Sequence, residues 1–439
     1  MELLERLVPY LPLIVGGVIA AVALVARKRI PGALVALMIT AFIDMVGLLM
    51  VLPLLPFYAQ RLGGSGTVVG LLVSAFSVAQ LLSAPLWGRF SDRWGRRPTL
   101  LVALAASAVA YVIFGFADSL LVLFLSRIVQ GAGGGTVGVI QAYVADSTAP
   151  EERAKSLGWL SAATNVGVAL GPALGAYAVA LGERAHDEGT ASDALAHAYP
   201  GLLAAALCLV NMLFAWRYLR ESREGTRVAA KPGTSRAAVA RVLSHPSEPA
   251  PRLIWIYAVA IGAFQGTTSI LALFLAARHG VDEKSIAFFF VYIGVLSVVA
   301  RAVILGKAVD TFGEARLSRV GLVLLAIGLA TLPLAPSRSW WLLALSVALM
   351  PLGTAFTFPC VTALLSRVIP QHERGLYMGV QQTFGGVSRV LFPVVFGFAF
   401  DYLGHGSPFW ISAAFVFGTI FLGLGMEEYL KPKPQVAAD

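Results

Sequence analysis

Apolar residues run along the chain in blocks of about twenty, separated by short connections rich in Arg, Asp, Gly and Pro. Thirteen blocks can be marked, at approximately 8–26, 34–57, 68–87, 99–117, 120–143, 157–181, 200–217, 253–277, 285–305, 318–336, 340–366, 376–400 and 409–427. A helix of that length, rising about 1.5 Å per residue, crosses a hydrocarbon core roughly 30 Å thick. Lipid holds no water to meet an unpaired N–H or C=O, so each block is expected to be an α-helix and no strand is expected. The overall balance agrees: 58% of residues are hydrophobic and 13% charged, where soluble domains carry about 25% charge. The pattern predicts an all-α integral membrane protein.

The formal charge of +9 could signal a nucleic-acid partner, but its placement argues otherwise. If the spans alternate, 24 of the 33 Lys and Arg residues fall in connections on one side, and only Arg6, Arg61, Arg184, Arg278, Lys284 and Arg338 on the other. That asymmetry marks the basic side as cytoplasmic. The charge reports topology, no nucleic acid is expected, and the tail 428–439 is placed in the cytoplasm. The first block precedes Arg27, Lys28 and Arg29 instead of following a basic stretch, which rejects a cleaved signal peptide. Residues 1–30 are therefore expected to form an extra transmembrane helix with a basic linker, its N-terminus outside; a wrongly chosen start codon is the alternative reading.

Candidate chemistry is sparse. Cys208 and Cys360 both lie inside blocks, where a thiol acts as a small apolar residue, so neither a disulfide nor a metal site is expected. The six histidines sit in connections or at block ends, and no GxxxxGK loop is present to cradle a nucleotide phosphate. No cofactor is expected. No nucleophile–base pair or metal cluster lies within the spans, which argues against a membrane enzyme.

The longest polar connection, 218–252, divides the twelve later blocks into six within 31–217 and six within 253–427. Rich in Arg, Pro, Ser and Ala, it offers no apolar stripe to bury and is expected to be a flexible cytoplasmic linker. The halves echo each other. Gly88, Asp92 and Gly95 in "GRFSDRWGRRP" have the spacing G-x3-D-x2-G, and Gly306, Asp310 and Gly313 in "GKAVDTFGEAR" repeat it 218 residues later. "PEERAKSLG" from Pro150 is answered by "PQHERGLYMG" from Pro370. Six spans return the chain to the same side, so the repeat is parallel. Two pseudo-symmetric six-helix bundles around a central cavity are the layout of an alternating-access transporter.

Three segments of the first half carry a family resemblance. "GRFSDRWGRRP" is similar to the cytoplasmic signature between the second and third helices of the major facilitator superfamily. "SRIVQG", with Arg127 and Gln130, is similar to its fourth-helix motif. "GWLSAATNVGVALGPALGA", with Gly158, Gly167, Gly171, Pro172 and Gly175, is similar to the fifth-helix motif of its antiporters. In the right order and spans, they make residues 34–427 resemble its drug–proton antiporter branch, which includes the tetracycline exporters. The resemblance implies that Asp92 sits beside the N-terminus of the eleventh of the twelve helices, starting near Leu376, and accepts its free N–H groups. Such a contact is worth about 0.3–1 kcal/mol, and more when partly buried. With Arg96 and Asp146 completing an ion network, it would close a cytoplasmic gate. Gly88, Gly95, Arg93 and Arg97 belong to the same signature, although Arg89, Arg93 and Arg97 equally satisfy the positive-inside rule. The second-half copy has Glu314 and Ala315 where Arg96 and Arg97 stand, which predicts a weaker gate there. The resemblance also ties the fifth-helix glycines to antiport. Read as residues alone, they permit close helix approach, and Gly171 with Pro172 permits a bend.

Charges inside spans are the remaining candidates, because each costs about 2.5–3.5 kcal/mol at mid-helix on insertion scales. Asp44 lies about ten residues into its helix, roughly 15 Å deep, at the membrane centre. Burial disfavours a charged carboxylate and a nearby cation favours it, so a group between those effects can take a proton on one side and release it on the other. A matching acid in the tetracycline exporters is implicated in substrate and proton handling. Arg127 shares a helical stripe with Gly131, Gly134, Gly138 and Gln141. By resemblance it modulates proton transfer; by its residues alone it is equally a hydrogen-bond hub. Arg389 shares a face with Gln382 and Gly385. Gln382 and Arg389, together with Asp44, Gln130, Gln265, Thr268 and Phe356, form the expected substrate cavity, though Phe356 also suits plain helix packing. Arg301 lies near a block end, where it can snorkel to water. The combined expectation is a proton-coupled antiporter that exports a small amphipathic compound. Its partners would be that substrate, protons and the lipid bilayer, and it would act as a monomer in a bacterial inner membrane. An uptake symporter or uniporter of the same fold, or a non-transporting receptor or assembly factor, are the alternatives.

Overall fold

A computed structural model describes residues 32–134, 136–148, 152–221, 235–337, 339–371 and 373–426. Among them every regular element is helical and none is a strand. Eleven helices, from Leu34–Arg61 to Arg374–Tyr402, are long and apolar enough to cross a membrane, and Ser407–Leu422 is a shorter apolar one. They coincide with the second to thirteenth blocks; the first block and the tail lie outside the described residues. The chain is a multi-pass membrane protein.

The helices outrun the apolar blocks. The connection expected at 88–98 is almost entirely helical: Gly66–Trp94 continues through the charged residues and Arg96–Gly115 begins one residue later. Backbone hydrogen bonding does not end where the hydrocarbon ends, and Arg and Asp side chains at a helix end reach water. Gly95 alone turns the chain, at φ 103°, a conformation disfavoured for residues with a Cβ. Over the block 120–143 the described helices are Leu120–Gly133 and Thr136–Ser147.

The chain forms two compact units that cut across the six-and-six division. Among the described residues, the first comprises 32–221 with Thr268–Val298 and Pro393–Tyr402; the second comprises 235–267, Val299–Phe392 and 403–426. In the first unit Gly32–Val51 lies along Arg153–Asp187, and Arg96–Gly115 along Asp193–Tyr218. Gly167, Gly171 and Gly175 make the first of these contacts. A Cβ there would stand 2.6 Å from the Phe42 carbonyl oxygen, 2.8 Å from that of Val46 and 2.4 Å from that of Met50. Lipid provides no hydrophobic drive between helices, so such small residues allow the backbone contact that replaces it. Gly158 meets nothing within 4 Å, and Pro172 sits inside an uninterrupted helix.

In the second unit Glu314–Thr331 packs against Trp340–Val368 and Ser407–Leu422. The segment 218–252 departs from the expected linker. Ser235–Ser244 within it is a helix that buries Ala238 and Val242, and the Trp255 indole N–H donates to the Val242 carbonyl at 3.2 Å. Ala238 and Val242 stand four residues apart, enough for a one-sided apolar contact on a ten-residue helix. The remainder of that connection, 222–234, lies outside the described residues.

Candidate functional site

Asp44, near the middle of Gly32–Val51, is 8% exposed. Its carboxylate Oδ2 accepts a hydrogen bond of 2.8 Å from the hydroxyl of Thr136, itself buried at the start of Thr136–Ser147. A hydroxyl both donates and accepts, so it can partner the acid and its carboxylate alike. Asp44 lines a cavity of about 310 Å³ in the first unit. Asp44, Gln141, Ser161, Thr164 and Asn165 supply its polar lining, with Met45 and aliphatic side chains opposite. Asn165 is itself oriented, its amide donating to the Ser161 carbonyl at 2.8 Å. The wall is amphipathic.

Arg127 is the largest fully buried side chain described, at 1% exposure. Its guanidinium lies 5.1 Å from the Phe114 ring centroid, and its Nε donates to Ser126 Oγ at 3.4 Å. A cation desolvated against an aromatic face gains up to about 2 kcal/mol. Gln130 and Tyr111 are buried in the same unit, and the Asn211 amide donates to the Thr40 carbonyl at 3.0 Å. Asp44, Arg127 and Gln130 thus share one buried polar region, but the hydrogen bond to Asp44 comes from Thr136.

The residues expected at a cytoplasmic gate converge on Arg96. Its Nε donates to Asp146 at 2.9 Å, and its Nη1 to Ser91 Oγ at 2.8 Å and Asp92 at 2.9 Å. The guanidinium is nearly buried, while the Asp92 side chain is 67% exposed. Glu221 completes the cluster, accepting from the backbone N–H groups of Arg96 at 2.9 Å and Arg97 at 3.1 Å. It caps the N-terminus of Arg96–Gly115, where a negative charge is favoured. Arg97 also donates to the Trp216 carbonyl. Gly88, Arg89 and Arg93 are exposed. In the second-half copy, Glu314 pairs with Arg367 at 2.6 Å.

The other expected cavity residues fall in both units. Thr268, half-buried, belongs to the first unit, and Gln265, Phe356, Gln382 and Arg389 to the second. Phe356 packs in an apolar cluster with Ala300, Leu317, Ala355 and Cys360. Gln382 is exposed, its amide donating to the Tyr257 hydroxyl at 3.4 Å. Arg389 is half-buried, and Arg301 lies in a π-turn at Ala300–Ile304. Thr136, Ser91, Glu221 and Asn165 escaped the reading of the sequence. Thr136 ends the helix-breaking run GAGGG, and Glu221 is the first acid after a long apolar span; only those two carried a local signal.

Comparisons with known proteins agree with this architecture. The family model described as Major Facilitator Superfamily matches residues 37–307 and 300–438. The tetracycline resistance protein, class B, of Escherichia coli is 26% identical over 411 residues, covering 91% of this chain and 96% of that protein. Multidrug resistance protein 2 of Bacillus subtilis (strain 168) is 27% identical over 410 residues, covering 92% and 96%. Among solved structures, an inward-facing, occupied bacterial homolog of the human lysosomal transporter Spinster superposes with a TM-score of 0.74 at 16% identity, covering 90% of this chain and 96% of that one. With its apolar helices, its Arg96-centred signature and a match along nearly the whole length, the chain belongs to the major facilitator superfamily and is a membrane transporter, not an enzyme.

Proposed function

We propose that the protein is a proton-coupled antiporter that exports a small amphipathic compound by alternating access, with Asp44 as the coupling carboxylate. The observation that carries this reading is the buried Asp44 held by Thr136 on the wall of an amphipathic cavity. The tetracycline and multidrug resistance proteins among its relatives support export of such compounds, and their bacterial sources support a cytoplasmic-membrane location. Substrate and proton compete for one carboxylate: the protonated acid favours release, and the charged one favours reloading. Gln141 and Asn165 orient the substrate beside it, and Arg127 biases its charge from the same buried region. Asp92, bound to Arg96, acts at the cytoplasmic gate. The energetics suffice. One proton crossing 100 mV supplies about 2.3 kcal/mol and one pH unit about 1.36, together enough for a substrate gradient of several hundredfold at about 1.4 kcal/mol per decade.

The test uses everted membrane vesicles with a preset pH gradient and a panel of amphipathic compounds. At least one compound is expected to dissipate the gradient with wild-type protein. Asp44→Asn should abolish that response and gradient-driven accumulation while leaving downhill flux and membrane insertion. Asp44→Asn with undiminished substrate-driven proton movement would place the coupling group elsewhere.

A further inference from the structure

Helix Gly66–Trp94 receives no side-chain cap from the Ser65 that precedes it. Its first N–H groups are instead taken by Asp401, 335 residues away in sequence from Gly66. Gly66 N–H donates to Oδ1 at 2.8 Å, Thr67 N–H to Oδ2 at 2.7 Å, and the Thr67 hydroxyl to the same Oδ2 at 2.6 Å. A carboxylate on the N-terminal donors of a helix combines charge-assisted hydrogen bonds with the favourable end of the helix dipole. The backbones touch around this contact. A Cβ at Gly397 would lie 2.2 Å from the Gly66 carbonyl oxygen, and one at Gly70 2.1 Å from that of Pro393. Two ion pairs belong to the same unit, Arg61 with Glu283 at 2.8 Å and Lys284 with Glu183. Arg61 and Lys284 belong to the side that the charge distribution assigns to the exterior.

Asp401 is also the aspartate of a third copy of the G-x3-D-x2-G spacing, Gly397–Asp401–Gly404. Like Gly95, Gly404 ends its helix at positive φ, 100°. The two helices are therefore reciprocal. Gly66–Trp94 carries Asp92 near its cytoplasmic end and presents its N-terminus outside; Arg374–Tyr402 carries Asp401 near its outer end and begins at the cytoplasmic side. In this structure the outer contact is made, and Asp92 is bound by Arg96 of the adjoining helix.

We infer that Asp401 is the latch of the outer gate: its carboxylate on the N-terminus of the 66–94 helix holds the exterior face shut and lets go when the transport path opens outward. The inference rests on the alternating cycle proposed above, in which Asp92 serves the opposite face.

The test places a reporter cysteine at Ser74, a buried position that continues the Gly66–Gly70 face by one turn, in a Cys208→Ser, Cys360→Ser background. Its modification by a membrane-impermeant maleimide is followed from outside the cell. Asp401→Ala is expected to raise the labelling rate about ten-fold, the equivalent of about 1.4 kcal/mol taken from the closed state. Asp401→Glu should stay near wild type. Asp401→Asn, which keeps the size but not the charge, should fall between and serves if the alanine variant does not reach the membrane. Unchanged or slower labelling in correctly inserted Asp401→Ala or Asp401→Asn overturns the latch. Asp92→Asn separates the two ideas. It should slow labelling, and its combination with Asp401→Ala should return towards wild type. An effect of Asp401→Ala without one of Asp92→Asn keeps the latch and removes the cytoplasmic gate assigned to Asp92.

Discussion

At the scale of single residues, the chemistry depends on how few polar groups an apolar helix can hold. Asp44 is conspicuous in the sequence because it is a lone acid in a long apolar block, and a buried carboxylate needs a partner. The sequence does not name that partner. Thr136 is one hydroxyl after a run of glycines, and only the fold brings it 2.8 Å from a carboxylate 92 residues earlier. Removing a hydrogen bond to a charged group costs about 1.5–3 kcal/mol. Thr136→Ala is accordingly expected to slow proton-coupled exchange ten-fold or more and to change its pH profile, while Thr136→Ser restores both. Exchange measured across a pH series in proteoliposomes decides it, because a purely structural role would lower the amount of folded protein and leave the profile in place.

At the scale of the helices, glycine spacing has unequal consequences along one motif. Gly167, Gly171 and Gly175 rest on the carbonyls of Phe42, Val46 and Met50, whereas Gly158 faces open space. Gly175→Leu should therefore separate Gly32–Val51 from Arg153–Asp187 and reduce stability by more than the usual 1–3 kcal/mol of overpacking, since the obstacle is backbone. Gly158→Ala should be tolerated. Thermal melting of purified protein in detergent separates the two, with a lower midpoint for the first and little change for the second. The four-residue spacing of these glycines is legible in the sequence. Which of them touches another helix is not, because that depends on the helix opposite.

At the scale of the molecule, the contacts on the face proposed to be exterior carry a pH dependence. Burial pushes the Glu283 carboxyl above its ordinary range; Arg61 lowers it again, and Glu183 and Asp282 raise it further. Lys284 is next in sequence, and Tyr58, His186, Asp187, Asp193 and His197 line the same recess. As the outside is acidified, Glu283 takes its proton at a higher pH than an ordinary glutamate would. The ion pair with Arg61 is present above that pH and lost below it. Acid outside should speed labelling of the Ser74 cysteine, Glu283→Gln should show the fast rate already at neutral pH, and its rate should depend less on pH. Acid acceleration as large in Glu283→Gln as in wild type would assign the response to another group.

Sequence by itself determined the number and order of the described spans, the basic side and the superfamily, together with the lone acid within the apolar block 34–57. Those properties are local: hydropathy over twenty residues decides whether a segment enters lipid, lipid leaves only the helix, and Lys and Arg counts decide which end stays inside. Tertiary structure alone decided the partners. Asp92 and Asp401 are the aspartates of the same G-x3-D-x2-G spacing, yet one lies against Arg96 four residues on and the other against Gly66 and Thr67 more than three hundred residues back. Glu221 reaches the N-terminus of a helix 125 residues earlier, and Ser235–Ser244 is packed where composition suggested a tether. A carboxylate at a helix end will take whichever unsatisfied donors lie within about 3 Å, and which ones do so follows from the packing of whole helices, which no window of sequence contains.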